Sequence, residues 1–213
     1  MEAMAQCRIV TIIRGIAYKN TVPLAQALVA GGISCMEVAF DLSGSVSDRE
    51  TADMIHAIRE ALPERAYVGA GTVTDAHKLA LAHDAGADFI VSPNVDTALI
   101  EQTLSLDMVS IPGAFTPTEV FTARSAGADV VKLFPVTMFG PGYIKMLRGP
   151  FADIPFMAVG GIEADDISGY LDAGAFVVGI GGALTRGAVG DTVDSAGITA
   201  YAAHCRRKTE KSI

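Results

Sequence analysis

One short pattern recurs along the chain and constrains its fold. A stretch with helical spacing ends at an alanine and a glycine, and a run of apolar residues follows, at Gly32, Gly86, Gly127 and Gly174. A left-handed glycine commonly ends a helix, and a fully apolar run is typical of a parallel strand buried on both faces. Each interval between these glycines is too long for one strand-helix unit and suits two. The pattern therefore predicts about eight strand-helix units.

The apolar runs give the predicted strands, which are 9–14, 35–40, 67–71, 89–92, 108–111, 130–134, 155–159 and 176–180. Helical periodicity fills the gaps, and Asp96 and Thr116 are the expected N-caps of two helices. Regular alternation of strands and helices predicts one (β/α)8 (TIM) barrel domain over residues 1–213. The polar, basic tail at 204–213 is expected to fray.

Charge and cysteine content narrow the class of function. The net charge of -8 argues against a nucleic acid or an anionic membrane surface as partner, although a small anionic substrate remains compatible. No apolar run is long enough to span a membrane. The three cysteines are an odd count without metal-ligand spacing, so we expect reduced thiols in a cytoplasmic protein.

Lys132 stands at the centre of an apolar strand, with Val131 before it and Leu133 after it. Burial disfavours the charged form of an amine and lowers its pKa, so that part of it is neutral and able to attack a carbonyl. The other interpretation is an aliphatic stem that passes apolar neighbours to reach a carboxylate or water. This run alone leaves both interpretations open.

In a barrel of this kind the active site lies where the strands end and the following loops begin. The strand ends bring several polar residues and glycines to that rim. They include Arg14, Glu37, Thr72, Pro93, Lys132, Gly160, Gly161, Gly181 and Gly182.

Side-chain alternation predicts that Glu37 and Lys132 face each other. The residues on either side of Glu37 and of Lys132 are apolar and suit the face that packs against the helices. Because side chains alternate along a strand, Glu37 and Lys132 then point into the barrel, from strands on opposite sides of it. A lysine nucleophile beside a carboxylate fits aldol chemistry through a Schiff base, whereas a buried ion pair kept for structure is the alternative. No acidic and histidine cluster has metal-ligand spacing, so we expect neither a metal nor a cofactor.

The glycine pairs after the seventh and eighth predicted strands expose backbone N–H groups at one part of the rim. A phosphate commonly binds at this place in such barrels, often beside the amino terminus of a short extra helix. Glycine pairs also close tight loops without binding anything. The position of both pairs favours a phosphate site.

Motifs along nearly the whole chain resemble one enzyme family, that of the 2-keto-3-deoxy-6-phosphogluconate (KDPG) and 4-hydroxy-2-oxoglutarate (KHG) aldolases. They are IIRG at 12–15, VAGGI at 29–33, MEV at 36–38, GAGTV at 69–73, SP at 92–93, IPG at 111–113, TPTE at 116–119, VKLFP at 131–135, GPF at 149–151 and GGI at 160–162.

The resemblance implies a class I aldolase that releases pyruvate and an aldehyde and assembles as a homotrimer. It implies that Lys132 forms the Schiff base, that Glu37 is the general acid/base and that Thr72 holds the pyruvyl carboxylate. It also places Pro93 beside the site. Phe134, within the motif of the lysine, belongs to the expected substrate site. Arg14 is our added candidate for the carboxylate, with a surface salt bridge as the alternative.

Three departures from the family pattern concern the substrate. Some members have an arginine where this chain has Asp41, which would repel a nearby anion. Ala158 and Val159 replace the usual proline and threonine, and Gly182 replaces the usual serine. We therefore rank cleavage of a 2-keto-3-deoxy sugar acid first, with KDPG ahead of other sugar acids. KHG cleavage is the second enzymatic interpretation, and a barrel that binds a keto acid or phosphosugar without turnover is a third.

Overall fold

The computed structural model describes residues 1–62, 64 and 66–210. Its parallel strands are β1 (Ile9–Ile13), β2 (Cys35–Ala39), β3 (Tyr67–Gly71), β4 (Phe89–Val91), β5 (Val109–Ile111), β6 (Gly113–Ala114), β7 (Val131–Leu133), β8 (Phe156–Val159) and β9 (Val177–Ile180). Its α-helices are α1 (Glu2–Cys7), α2 (Tyr18–Ala30), α3 (Asp48–Ala61), α4 (Ala76–Asp84), α5 (Thr97–Ser105), α6 (Pro117–Ser125), α7 (Pro141–Leu147), α8 (Ile167–Asp172), α9 (Gly182–Thr185) and α10 (Ser195–Thr209).

The strands form one nearly closed barrel in the order β5-β4-β3-β2-β1-β9-β8-β7-β6. Strands β5 and β6 together take the fifth place in the barrel, on either side of Pro112, and the predicted strand 108–111 covers only β5. Strand β5 pairs with β4, whereas β6 pairs with β7. Proline has no N–H to donate to a ladder, so the strand is interrupted there. The carbonyl of Pro112 still accepts a 2.9 Å hydrogen bond from the N–H of Lys132. The (β/α)8 prediction is thus confirmed, with one strand divided.

Local sequence signals fix the element boundaries well. The ends of the eight predicted strands lie within one residue of the observed ends, with β5 taken as the fifth. Asp96 accepts hydrogen bonds from the N–H groups of Ala98 and Leu99 at the start of α5. Thr116 and Glu119 form a reciprocal capping box at the start of α6. Both predicted N-caps are confirmed.

The core fills the barrel and the layer between strands and helices. All five residues of β2 are buried, as are all four of β8 and of β9, which is the burial of a parallel sheet covered on both faces. Helix α1 adds a layer that the sequence did not predict. It contacts β1, β2 and β9, and its Met4 is fully buried.

The carboxyl-terminal segment contradicts the expectation of fraying. Helix α10 continues to Thr209, and Cys205 and Thr209 within it are buried. The guanidinium Nη1 of Arg206 donates to the carbonyl of Cys7 at 2.6 Å, which ties the helix to the end of α1. Packing of its apolar face therefore outweighs the basic composition of the tail. Residues 211–213 lie outside the described residues.

None of the described helices has the length and apolar content needed to cross a membrane.

Candidate active site

A cavity of about 510 Å³ opens at the carboxyl ends of the strands. All ten residues predicted for the site line it. They are Arg14, Glu37, Thr72, Pro93, Lys132, Phe134, Gly160, Gly161, Gly181 and Gly182. Because the strands are parallel, their carboxyl ends meet at one rim, and residues from distant parts of the chain converge there.

Lys132 occupies the middle of β7 and is 7% exposed. Its backbone is paired with Gly113 on one side and Met157 on the other, which fixes the direction of its side chain into the barrel. The Nζ atom lies 5.2 Å from the centre of the Phe134 ring. Burial lowers the pKa of the amine, and the nearby charge of Glu37 opposes this shift. The result is an amine that loses its proton more readily than an exposed lysine.

Glu37 lies on β2 and is 1% exposed. A side chain at Gly71 on neighbouring β3 would place its Cβ 2.6 Å from Oε1 of Glu37, so the carboxyl occupies space that glycine leaves free. Its Oε2 is buried without a hydrogen-bond partner. Burial raises the pKa of Glu37, against the influence of Lys132 and Arg14, which lower it. The carboxyl can therefore hold a proton at a pH where an exposed glutamate is ionised.

Lys132 and Glu37 line the same cavity, but their amine and carboxyl are more than 4.0 Å apart and do not form an ion pair. Their environments push the two pKa values toward each other. An amine with a lowered pKa and a carboxyl with a raised pKa suit nucleophilic attack and proton transfer in one site.

Arg14 and Thr72 form a polar pair at the loops that follow β1 and β3. The guanidinium Nη2 of Arg14 donates to Oγ1 of Thr72 at 2.7 Å. Thr72 has a φ of 58°, an uncommon conformation for a β-branched residue, and its side chain is buried. The arginine is exposed to the cavity mouth. A guanidinium and a hydroxyl in this arrangement are suited to bind a carboxylate.

The loops after β8 and β9 present backbone to the cavity. Gly160 and Gly161 have φ values of 124° and 75°, which side chains rarely adopt. A Cβ on Gly160 would also lie 3.1 Å from Cα of Pro135. Gly182 begins the short helix α9 next to β9, and a Cβ there would meet no atom within 4 Å. This side of the cavity therefore offers N–H groups and little side-chain bulk.

Two of the three departures from the family pattern lie on the cavity wall, and the third does not. Val159 and Gly182 line the cavity, whereas Asp41 does not. The carboxylate of Asp41 accepts hydrogen bonds from the backbone of Ser43 and Val46 and from the hydroxyl of Ser43, and these bonds lower its pKa to about 2. Asp41 therefore organises its own loop as an ionised carboxylate, outside the lining of the cavity that contains Lys132.

A larger neighbouring cavity, of about 660 Å³, lies between the loops after β1 and β2. Its lining includes Asp41, Arg14 and Thr72 but neither Lys132 nor Glu37. The smaller cavity is the candidate active site because it alone of the two contains the amine and the carboxyl.

The sequence did not single out Arg186 and Glu163, which also line the active-site cavity. Arg186 follows α9, four positions after Gly182, and its Nη2 lies 3.4 Å from Oε2 of Glu163. The position of an arginine soon after a glycine pair expected to bind an anion was the sequence signal that could have identified Arg186.

Within the described residues, no group of three or more His, Cys, Asp and Glu residues is arranged to hold a metal ion.

The sequence and the fold are similar to those of known proteins. The family model described as KDPG and KHG aldolase matches residues 1–201. The 2-dehydro-3-deoxy-6-phosphogalactonate aldolase of Escherichia coli (strain K12) is 32% identical over 187 residues, covering 87% of this chain and 88% of that protein. The 2-dehydro-3-deoxy-phosphogluconate aldolase of Treponema pallidum (strain Nichols) is 33% identical, covering 80% and 78%.

A solved structure is similar over almost the whole fold. It is described as the native KDPGal structure, has a TM-score of 0.85 and 31% sequence identity, and covers 96% of this chain and 95% of its own. A match of the family model over most of the chain agrees with the full-length relatives and with the shared fold. The chain therefore belongs to the family of KDPG and KHG aldolases.

Proposed function

We propose that the protein is a class I aldolase in which Lys132 forms a Schiff base with a 2-keto acid. The observation that carries this proposal is the buried amine of Lys132, with its lowered pKa, in one cavity with the buried carboxyl of Glu37, whose pKa is raised. A neutral amine is the nucleophile that attacks a ketone, and a protonated carboxyl can donate the proton that the resulting oxygen needs to leave as water.

Cleavage then follows from the imine. The amine of Lys132 adds to the C2 carbonyl of the substrate, and loss of water, helped by a proton from Glu37, gives a protonated imine. This group accepts the electron pair of the C3–C4 bond as Glu37 removes the proton of the C4 hydroxyl. The aldehyde leaves, C3 of the remaining enamine takes up a proton, and water releases pyruvate and the free amine.

Substrate orientation in this proposal uses the two ends of the cavity. Arg14 and Thr72 bind the carboxylate next to the reacting ketone, and Pro93 and Phe134 form the walls beside Lys132. A distal phosphate binds to the N–H groups of the glycine pairs at 160–161 and 181–182. No cofactor takes part in these steps.

For the substrate we propose a 2-keto-3-deoxy hexonate 6-phosphate, with KDPG first and glyceraldehyde 3-phosphate as the aldehyde product. A specific observation favours its galactonate epimer as the second candidate. Val159 is 4% exposed and lines the cavity without a hydroxyl. A hydroxyl of the substrate that depends on a threonine at this position finds no partner here, and the E. coli relative is named for the galactonate substrate.

The test compares turnover of KDPG, its galactonate epimer, KHG and a non-phosphorylated 2-keto-3-deoxy hexonate by continuous detection of released pyruvate. We expect the higher kcat/KM for one of the two 6-phosphates. Faster cleavage of KHG would identify the alternative in which the distal group is a carboxyl. Imine formation with pyruvate without turnover of any of the four would support a protein that binds keto acids only.

We also propose that the protein is one barrel domain that assembles as a homotrimer in the cytoplasm. Exposed apolar side chains in and just before α7 support assembly. Met138, Phe139 and Met146 are 71%, 58% and 76% exposed, and exposed apolar side chains close together in the chain are typical of an interface between subunits. The three cysteines are buried free thiols, as in proteins of a reducing compartment. Light scattering during size-exclusion chromatography should give three times the mass of one chain, and a single-chain mass would contradict the trimer.

A further inference from the structure

Arg186 is a cation at the active-site cavity that the proposed chemistry does not use. It follows α9, and its side chain is 68% exposed while lining the cavity that holds Lys132. The other cavity arginine, Arg14, comes from the loop after β1, which is the strand next to β9 in the barrel. Two arginines from adjacent loops therefore border one cavity.

The side chains of the two arginines contact residues on opposite sides of the β1–β9 pair. Arg14 bonds to Thr72 after β3, whereas Arg186 contacts Glu163 after β8. The strand order places β3 on one side of the β1–β9 pair and β8 on the other. One guanidinium thus faces the part of the cavity assigned to the keto acid carboxylate, and the other faces the glycine loops assigned to the distal group.

The contacts of Arg186 with its neighbours are loose. Its Nη2 lies 3.4 Å from Glu163 Oε2, both side chains are more than half exposed, and its guanidinium lies 6.0 Å from the centre of the Tyr201 ring. Exposed ion pairs of this kind contribute little to the free energy of unfolding. Glu163 itself is held more closely, since the hydroxyl of Tyr201 donates to the same Oε2 at 3.1 Å. The arginine can therefore change its partner while the glutamate stays in place.

We propose that Arg186 binds the distal anionic group of the substrate, a phosphate, and that Glu163 holds the guanidinium near this position until the substrate enters. The inference rests on the proposed function, because it assumes a substrate with a distal phosphate. It accounts for a site in which Val159 and Gly182 offer no side-chain donor. The glycine loops supply neutral N–H groups, and Arg186 adds the full charge and the two parallel donors that suit phosphate oxygens.

The test measures the KM for the preferred 6-phosphate substrate and the rate of borohydride-trapped imine formation with pyruvate, which has no distal group. Arg186→Gln should raise KM by about tenfold or more and leave the trapping rate unchanged. Arg186→Lys should recover part of the loss, since it restores the charge without the paired donors. Arg49→Gln is the matched control, because Arg49 is an exposed arginine paired with Asp53 on α3, outside the cavity. It should match wild type in both measurements.

Glu163→Gln gives an effect of opposite sign. Without the competing carboxylate the guanidinium is free for the phosphate, so KM for the 6-phosphate should fall severalfold. An unchanged KM in Arg186→Gln would overturn the proposal. It would also be overturned if Arg186→Gln slowed imine trapping and lowered the melting temperature, since that would make the role of Arg186 structural.

A failure of the proposed function looks different. If the wild-type protein cleaves no 6-phosphate, the proposed substrate is wrong, and inorganic phosphate then serves as the probe. Calorimetric binding of phosphate by wild type that is lost in Arg186→Gln would support the anion site, and equal binding by both proteins would overturn it.

Discussion

Arg14 and Thr72, 58 residues apart in the chain, are joined by a 2.7 Å hydrogen bond from the guanidinium Nη2 to the threonine Oγ1. The bond links the loops after β1 and β3 across the intervening strand β2, which carries Glu37. The hydroxyl thus has a fixed orientation before substrate arrives. Preorganised polar groups of this kind bind a ligand without first having to reorganise.

The pair can be tested at Thr72. Thr72→Val keeps the shape and the branched Cβ but removes the hydroxyl, so we expect KM for the keto acid to rise about tenfold through loss of a hydrogen bond to a charged group. Thr72→Ser retains the hydroxyl and is the matched control. Steady-state kinetics with pyruvate release as the readout decides the result, and equal KM values for the two variants would remove the hydroxyl from substrate binding.

Lys132→Met should abolish imine formation. Methionine has a similar length and no amine, so the barrel should remain folded while pyruvate and borohydride no longer add mass to the protein. Intact-mass spectrometry with peptide mapping measures this, with circular dichroism to confirm folding. Lys145→Met, which changes an exposed lysine on α7, should retain the adduct. A full adduct on a folded Lys132→Met protein would contradict the assignment of the nucleophile.

Glu37→Gln should slow cleavage by about 10²-fold or more, because the amide cannot exchange protons in the steps around the imine. Slow trapping of the pyruvate imine should persist, since Lys132 is intact. Glu101→Gln, an exposed change on α5, is the control and should match wild type. Turnover of Glu37→Gln near the wild-type rate would mean that another group moves the protons.

The raised pKa of Glu37 also predicts a pH dependence of stability. The folded protein binds this proton more tightly than the unfolded chain, whose glutamate has a pKa near 4.5. The contribution of Glu37 to the free energy of unfolding is therefore fully present below that value and is lost as the pH rises through the raised pKa. The slope from this group is at most about 1.4 kcal/mol per pH unit. Urea unfolding of wild type and Glu37→Gln from pH 4 upward should show that the variant lacks this decline. If the free energy of unfolding changed with pH in the same way in both proteins, the raised pKa of Glu37 would be contradicted.

Gly182→Ser restores the side chain that the family usually has at this place. Space is available, because a Cβ at Gly182 meets no atom within 4 Å. If the loop binds phosphate, the added hydroxyl should lower KM for the 6-phosphate substrate severalfold, whereas Gly182→Ala should not. Inhibition by inorganic phosphate offers a second measure. No difference between serine and alanine would place the phosphate elsewhere.

The fold was largely predictable because its signals are local. Apolar runs bounded by glycines mark the strands, and Thr116 and Asp96 mark helix starts through bonds to residues only two or three positions away. The site followed from the fold, since residues at the ends of parallel strands must meet at one rim. This is why Glu37 and Lys132 could be placed in one cavity from alternation alone.

Other features depend on contacts that no short segment reveals. The division of the fifth strand at Pro112 reflects how β4 and β7 each pair with a different part of it. The order of the tail results from Arg206, which reaches the carbonyl of Cys7 almost two hundred positions earlier. The carboxylate of Asp41 accepts hydrogen bonds from residues only a few positions later, and its place outside the lining of the Lys132 cavity depends on this loop conformation. Arg186 was missed although it follows a glycine loop expected to bind an anion, because its place at the cavity depends on contacts with Glu163 and Tyr201 that are distant in the sequence.

The carboxyl of Glu37 stands where a side chain on Gly71 would otherwise be. The two positions therefore share one volume, and during divergence neither can change freely while the other is kept. An enlarged residue on β3 would displace the carboxyl even though β3 supplies no functional group at that point. Gly71 thus contributes to this chemistry by having no side chain, because the space that it leaves is the space that the carboxyl occupies.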